Sequence, residues 1–134
     1  MPLRIFMDRV VMPESNTQVE SVVSAPELLA LLSAPAVEDG RTIAHGLYLM
    51  SLIPVLQRQI YRISKRGRGL NYGYDRVRFV SSVAVESRIR LKQTLVDATP
   101  HKIGARLEID VEIEIEGGEK PAMVARNILL IENL

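Results

Sequence analysis

The chain has 134 residues, 47% of them hydrophobic and 25% charged, a size and balance that suit one globular domain and leave no room for two catalytic ones. It holds no cysteine, which excludes disulfides, thiolate metal sites and a cysteine nucleophile. The net charge of +1 hides a division, because residues 56–92 carry ten basic and two acidic groups while the flanks together carry seven and fourteen.

That basic block (Arg58, Arg62, Lys65, Arg66, Arg68, Arg76, Arg78, Arg88, Arg90, Lys92) either forms a solvated face or holds a polyanion or phosphorylated ligand. Two Phe, four Tyr and no Trp leave little for base stacking, so nucleic acid is not the expected partner. The start of the chain has no basic segment leading into an apolar run and a small-residue cleavage site. No signal peptide is expected, and a cytoplasmic location follows from that reading.

Leu3, Ile5 and Met7 alternate as a short strand, Pro13 to Thr17 supplies turn chemistry, and Val19 to Val23 reads as a second extended piece. Ser24 as cap, Pro26 in the first turn and Glu27 three residues on predict a short helix through Leu32. Ser33-Ala34-Pro35 ends it, and Val37 to Gly40 reads as a loop. From Ala44 onward, Leu47, Leu49, Met50, Ile53, Leu56, Ile60 and Ile63 recur at helical spacing, which predicts a central helix over 44–64. Gly46 costs about 1 kcal/mol of helix propensity and Pro54 about 3, so packing must hold this helix, and a kink is expected near Pro54. The apolar stretch from Gly46 to Leu56 is broken by Ser51 and Pro54 and falls well short of the roughly 20 residues of a membrane span. Lys65 to Gly69 reads as a basic loop.

Residues 71–134 read as strands. Ile103, Ala105, Leu107, Ile109, Val111, Ile113 and Ile115 alternate with Arg106, Glu108, Asp110, Glu112 and Glu114, the period of a long strand with one buried and one wet face. Gly117-Gly118 permits a tight reversal, and Met123, Ala125 and Ile128 to Ile131 supply a last strand. His101 follows Pro100 between two strand patterns and reads as an exposed turn residue. One long helix followed by antiparallel strands is an α+β plan with the sheet wrapped on the helix.

Three segments carry a resemblance: Gly40-Arg-Thr-Ile-Ala-His-Gly46 running into Leu52-Ile-Pro54, Asn71-Tyr-Gly73 running into Val77-Arg-Phe79, and Ile113-Glu-Ile-Glu-Gly117 followed by Lys120-Pro-Ala122. Together they resemble the MaoC-like (R)-specific enoyl-CoA hydratase/dehydratase family, over residues 40 to about 130. The resemblance implies a single hot-dog domain over 1–134 with an atypical, shortened region at 1–39. It also implies a homodimer and reversible addition of water to an enoyl thioester. The carrier, coenzyme A or an acyl carrier protein, would be part of the substrate, with no further cofactor and no metal.

Members of that family carry an Asp followed five residues later by a His upstream of Ala-His-Gly. No histidine precedes His45 here, and counting back by the family spacing lands on Val23 and Leu28. Gly46 is the candidate oxyanion donor, since a first-turn N–H lacks an intrahelical partner and sits at the positive end of the dipole; the other reading is a glycine kept for close helix–sheet packing. Glu38, Asp39, Tyr48, Asn71, Tyr72 and Asp75 are the available substitutes for the acid/base pair, with Asp39, Tyr48 and Tyr72 placed in the catalytic set. His45, Asn71, Arg66 and Arg68 form the candidate substrate-binding set, His45 reading better as a structural hydrogen-bonding residue than as a base. The hydro-lyase reading has two alternatives: an inactive hot-dog protein that binds acyl thioesters or serves as a partner subunit, and an isomerase or cyclase of a conjugated substrate.

Overall fold

The structure, a computed structural model, describes residues 10–11, 19–22, 36–38, 41–63 and 67–133. In chain order the elements are β1 (Val10–Val11), β2 (Val19–Val22), β3 (Ala36–Glu38), β4 (Arg41–Ile43), α1 (Gly46–Ile60), β5 (Arg62–Ile63), β6 (Gly69–Phe79), β7 (Arg88–His101), β8 (Gly104–Ile115) and β9 (Met123–Glu132). The expected strand at Leu3 to Met7 and the helix from Ser24 lie outside the described residues.

The alternating apolar residues of β8 place that strand at the centre of an antiparallel sheet in the order β2-β7-β8-β9-β6. Its inward residues Leu107, Ile109 and Ile113 are almost fully buried and meet Leu49, Ile53, Leu56 and Ile60 of α1 in one core. Burial at about 1.5–3 kcal/mol per large side chain more than offsets the propensity lost at Pro54, and α1 runs unbroken through it. Gly46 is the first helical residue, so its propensity cost falls at an end rather than in the interior.

The helix is shorter than its apolar spacing predicts. Ala44 donates its N–H to the Val83 carbonyl at 2.7 Å instead of joining the helix, and Tyr61 is already extended at φ −142° and ψ 163°. Arg62 and Ile63 pair with Val11 and Val10. Ile63 fits both the spacing of a helix continued from Ile60 and a β-branched strand position, and strand partners decide it. The loop expected at Val37 to Gly40 also differs, because Ala36–Glu38 pairs with Arg41–Ile43.

Three residues of the basic block lie in ion pairs on the outer face of the sheet. Arg90 pairs with Glu114, Arg88 lies 3.6 Å from Glu116 and Lys92 4.0 Å from Glu112, each across β7 and β8. Arg126 holds Asp110 at 2.7 Å and Glu108 at 3.4 Å, and Arg106 also pairs with Glu108. Arg88, Arg90 and Lys92 therefore form a cross-strand ladder, not a phosphate site. Such pairs stabilise by about 0–1 kcal/mol each.

Candidate active site

His45 organises the start of α1. At φ −67° and ψ 141° it is the N-cap, and its Nδ1 accepts the Leu47 N–H at 3.2 Å. Its carbonyl accepts the N–H groups of Tyr48 at 3.0 Å and Leu49 at 3.3 Å. The Gly46 N–H has no partner among the described residues, and the first turn holds no acidic side chain. The positive end of the helix thus presents one free donor.

A cavity of about 410 Å³ opens there, bounded by Ala44, Gly46 and Leu47 on the helix side and by Phe79, Val80 and Ser82 on the other. The Phe79 ring lies against Gly46 so closely that a Cβ on residue 46 would come within 2.7 Å of its Cε1 and Cζ. Leu47 is 65% exposed and Phe79 51%, so two apolar side chains flank the free amide. His45 is the single titratable side chain among the described lining residues. With Nδ1 occupied as an acceptor, the neutral ring carries its proton on Nε2 and can donate there but not accept.

The structure separates the other candidates from this cavity. Tyr48 is buried in the core and does not line it. Arg68 reaches Glu132 through two side-chain hydrogen bonds, at 3.0 and 3.2 Å, which accounts for its charge. Asp39 and Arg66 lie outside the described residues. His101 ends β7, where its Nδ1 accepts the Ile103 N–H at 3.4 Å in the turn to β8.

Asn71 and Tyr72 belong to a bulge in β6. Asn71 pairs with Leu129 and Gly73 with Ile128, which leaves Tyr72 as the extra residue, 68% exposed. Asn127 of β9 anchors the bulge from inside. Fully buried, it donates from Nδ2 to Asn71 Oδ1 at 2.9 Å and to the Gly73 carbonyl at 3.3 Å, and its Oδ1 accepts from Gln57 Nε2 at 3.1 Å. Tyr74, whose hydroxyl lies 3.4 Å from Asn71 Nδ2, has its pKa raised by burial and stays protonated. Gln57 and Asn127 escaped the sequence reading; the available signal was an Asn in step with the inward Met123 and Ala125.

No protein-family model matches the chain. The MaoC-like dehydratase from Rhodospirillum rubrum superposes with a TM-score of 0.69 over 96% of this chain and 98% of that one, at 11% identity. The (R)-hydratase from A. caviae gives a TM-score of 0.67 over 84% and 91%, at 19% identity. These likenesses establish the hot-dog fold. Over 91 residues, 67% of this chain, the sequence is 38% identical to 3-hydroxyacyl-thioester dehydratase Z of Mycobacterium tuberculosis.

The chain belongs to the MaoC-like hot-dog family. It spans 60% of the length of the mycobacterial relative. For this MaoC-like domain, the free amide at the head of α1 can polarise a carbonyl oxygen, and the apolar flanks can exclude water from it. Among the described residues, no group of three or more His, Asp or Glu converges as metal ligands, and no helix is long and apolar enough to cross a membrane.

Proposed function

We propose that the chain acts on an acyl thioester as a hydro-lyase, adding water to an enoyl thioester or removing it from a 3-hydroxyacyl thioester. The observation that carries this reading is the unpartnered Gly46 N–H opening into the cavity beside Phe79. In dehydration the base removes a proton from the carbon next to the carbonyl, and negative charge develops on the thioester oxygen. Gly46 donates to that oxygen. The 3-hydroxyl departs as water when it receives the proton that the base took from the carbon, and His45 Nε2–H can hydrogen-bond that oxygen without giving up its own proton. Asp39, six residues before His45, is the proposed base. The chemistry asks for no cofactor beyond the thioester carrier.

A second copy of the chain is the proposed partner. β6 is one of the two edge strands of the sheet and exposes Leu70, Tyr72 and Phe79, a surface that invites pairing with another strand. A monomer by light scattering at micromolar concentration would remove this part.

One observation favours a second reading, that of a thioester-binding domain without turnover: His45 is the sole titratable group among the described residues lining the cavity. The loss of enoyl absorbance on mixing the protein with trans-2-enoyl-CoA separates the two. Turnover that vanishes in Asp39→Asn supports the hydro-lyase and its base. Saturable binding of acyl-CoA without turnover supports the binding domain.

A further inference from the structure

The described residues include three buried polar side chains, Gln57, Gln93 and Asn127. Two of them account for each other, since Gln57 Nε2 donates to Asn127 Oδ1 at 3.1 Å. The third does not. Gln93 of β7 is 5% exposed, and neither its Nε2 nor its Oε1 has a hydrogen-bond partner among the described residues. It continues the inward series of Ile89 and Leu91, where a leucine would pack without bringing a polar atom. A carboxamide carries two donor protons and two acceptor lone pairs, and taking them out of water with nothing in exchange destabilises a fold. An amide at a position that penalises it points to a group that meets it there.

The register of the sheet shows what surrounds it. The inner row through Gln93 continues at Val111 of β8 and Ala125 of β9. The rows on either side are Leu91, Ile113 and Met123, and Leu95, Ile109 and Asn127. Val111 is a methylene smaller than either isoleucine, and Ala125 lacks several atoms that Met123 and Asn127 carry. The Gln93 row therefore holds less side-chain volume than its neighbours, by more than the roughly 30 Å³ that one water takes in the liquid. Gln93 also stands where β2 ends: the pairing of β2 with β7 reaches Leu91 and Val19, and the next backbone groups on that edge have no strand partner among the described residues.

The chemistry of the missing group follows from the amide. Nε2 needs an acceptor and Oε1 needs a donor, and both lie on one side chain. A carbonyl or an anion only accepts, and an ammonium only donates. An O–H group does both with a single oxygen, which suits a row short of volume by a few atoms. It can also reach the free backbone groups at the end of β2, as buried oxygens with two to four polar neighbours do.

We propose that Gln93 is a buried binding site for one O–H group. Two sources present that chemistry, a water molecule and a hydroxyl carried on an acyl chain. The water source stands apart from the thioester reading; the acyl source rests on it. Leu49, which lines the cavity at Gly46, packs in the same core cluster as Leu91 and Ile113 of the row beside Gln93.

The first arm of the test measures nuclear Overhauser transfer from water to the Gln93 side-chain amide protons in the full, unaltered chain. A direct contact with a long-lived water is expected, and water-oxygen relaxation should count about one such water fewer in Gln93→Met, a variant of similar length without the amide. The second arm titrates hexanoyl-CoA and octanoyl-CoA, and the same saturated esters with a terminal hydroxyl, into both chains. A hydroxyl seated on Gln93 should tighten binding at least about fivefold, and Gln93→Met should abolish that preference while leaving the plain esters unchanged. A signal in either arm supports the site and identifies its source. The water contact is read in the unaltered chain, so it decides its arm even if Gln93→Met does not fold. No water contact together with no preference for the hydroxylated esters overturns the site, and a higher urea midpoint for Gln93→Met would then show an amide left unsatisfied. Failure of every ester to bind, with the water contact present, overturns the thioester reading and leaves the site standing.

Discussion

Replacing Gly46 by Pro and by Ala separates the donor role of its amide from its role as a residue without a side chain. Proline suits the first position of a helix, where its missing N–H leaves no intrahelical bond unmade. His45, at φ −67° and ψ 141°, already has the extended conformation that a residue before proline adopts. Both substitutions add a Cβ that would sit 2.7 Å from the Phe79 ring. That ring is the far end of a side chain 51% exposed, so it can turn away. Alanine at this first helical position gains less than the interior figure of about 1 kcal/mol over glycine, which offsets part of the ring's displacement. Both variants should therefore stay within about 1 kcal/mol of the parent, a shift of roughly 2–8 °C in Tm for domains near this size. Turnover should divide them. Removing one oxyanion donor costs about 10²–10³ in kcat, so Gly46→Pro should fall that far below Gly46→Ala in the enoyl-CoA absorbance assay. Equal rates for two folded variants, both near that of the parent, would refute the donor role. A Gly46→Ala variant as inactive as Gly46→Pro would instead assign the glycine to close approach of substrate.

Three further outcomes follow from the packing and charges. Asn127→Leu keeps the volume but leaves Gln57 Nε2 buried without its acceptor, which should cost about 1–3 kcal/mol in urea unfolding. Adding Gln57→Leu should recover part of that cost, and an unchanged midpoint in the single variant would dismiss the relay as a structural element. Arg90→Ala removes one rung of the outer ladder and should change stability by no more than about 1 kcal/mol; a larger loss would mean that the ladder works as a network. Hydrogen bonds from Arg106 to Glu108 and from Arg126 to Asp110 hold both carboxyls below the usual range. A depressed folded pKa gives stability that is present above the unfolded value and lost as pH falls through the folded one. Unfolding midpoints of the parent and Arg126→Ala should therefore differ at neutral pH and converge in acid, and a gap that persists at low pH would contradict the pairing.

How far the sequence reveals this molecule depends on how many residues carry each feature. The alternation of β8 is repeated seven times from Ile103 to Ile115, and one exception would not hide it. The start of α1 is legible because a histidine cap and a small residue leave a local signature. Its end is not, because Ile63 satisfies helix and strand spacing alike and the decision lies with Val10, more than fifty residues away. The bulge at Tyr72 is equally nonlocal, held by hydrogen bonds that join residues 56 and 54 positions apart. The basic block left two readings open because charges were counted along the chain, and Arg88, Arg90 and Lys92 take the solvated-face reading by meeting their carboxylates across strands.

The candidate site is harder to read for a further reason. Its donor is a backbone N–H, which every residue but proline possesses, and the sequence records it only through the absence of a side chain at Gly46. What makes that amide available is the surroundings: His45 takes the Leu47 N–H onto its own ring, no carboxylate occupies the first turn, and Phe79 closes one side without supplying an acceptor. Only His45 among these is a catalytic residue type, and its part in freeing the amide is that of a cap. Acid/base chemistry, by contrast, rests on one or two side chains that can change while the periodic core of α1 and β8 persists, so fold and turnover are separate properties of this chain. On the proposed reading, the cavity holds and polarises a thioester carbonyl with the residues around it. Asp39 is the proposed mover of water there, and the Asp39→Asn assay tests that link apart from the fold and apart from binding.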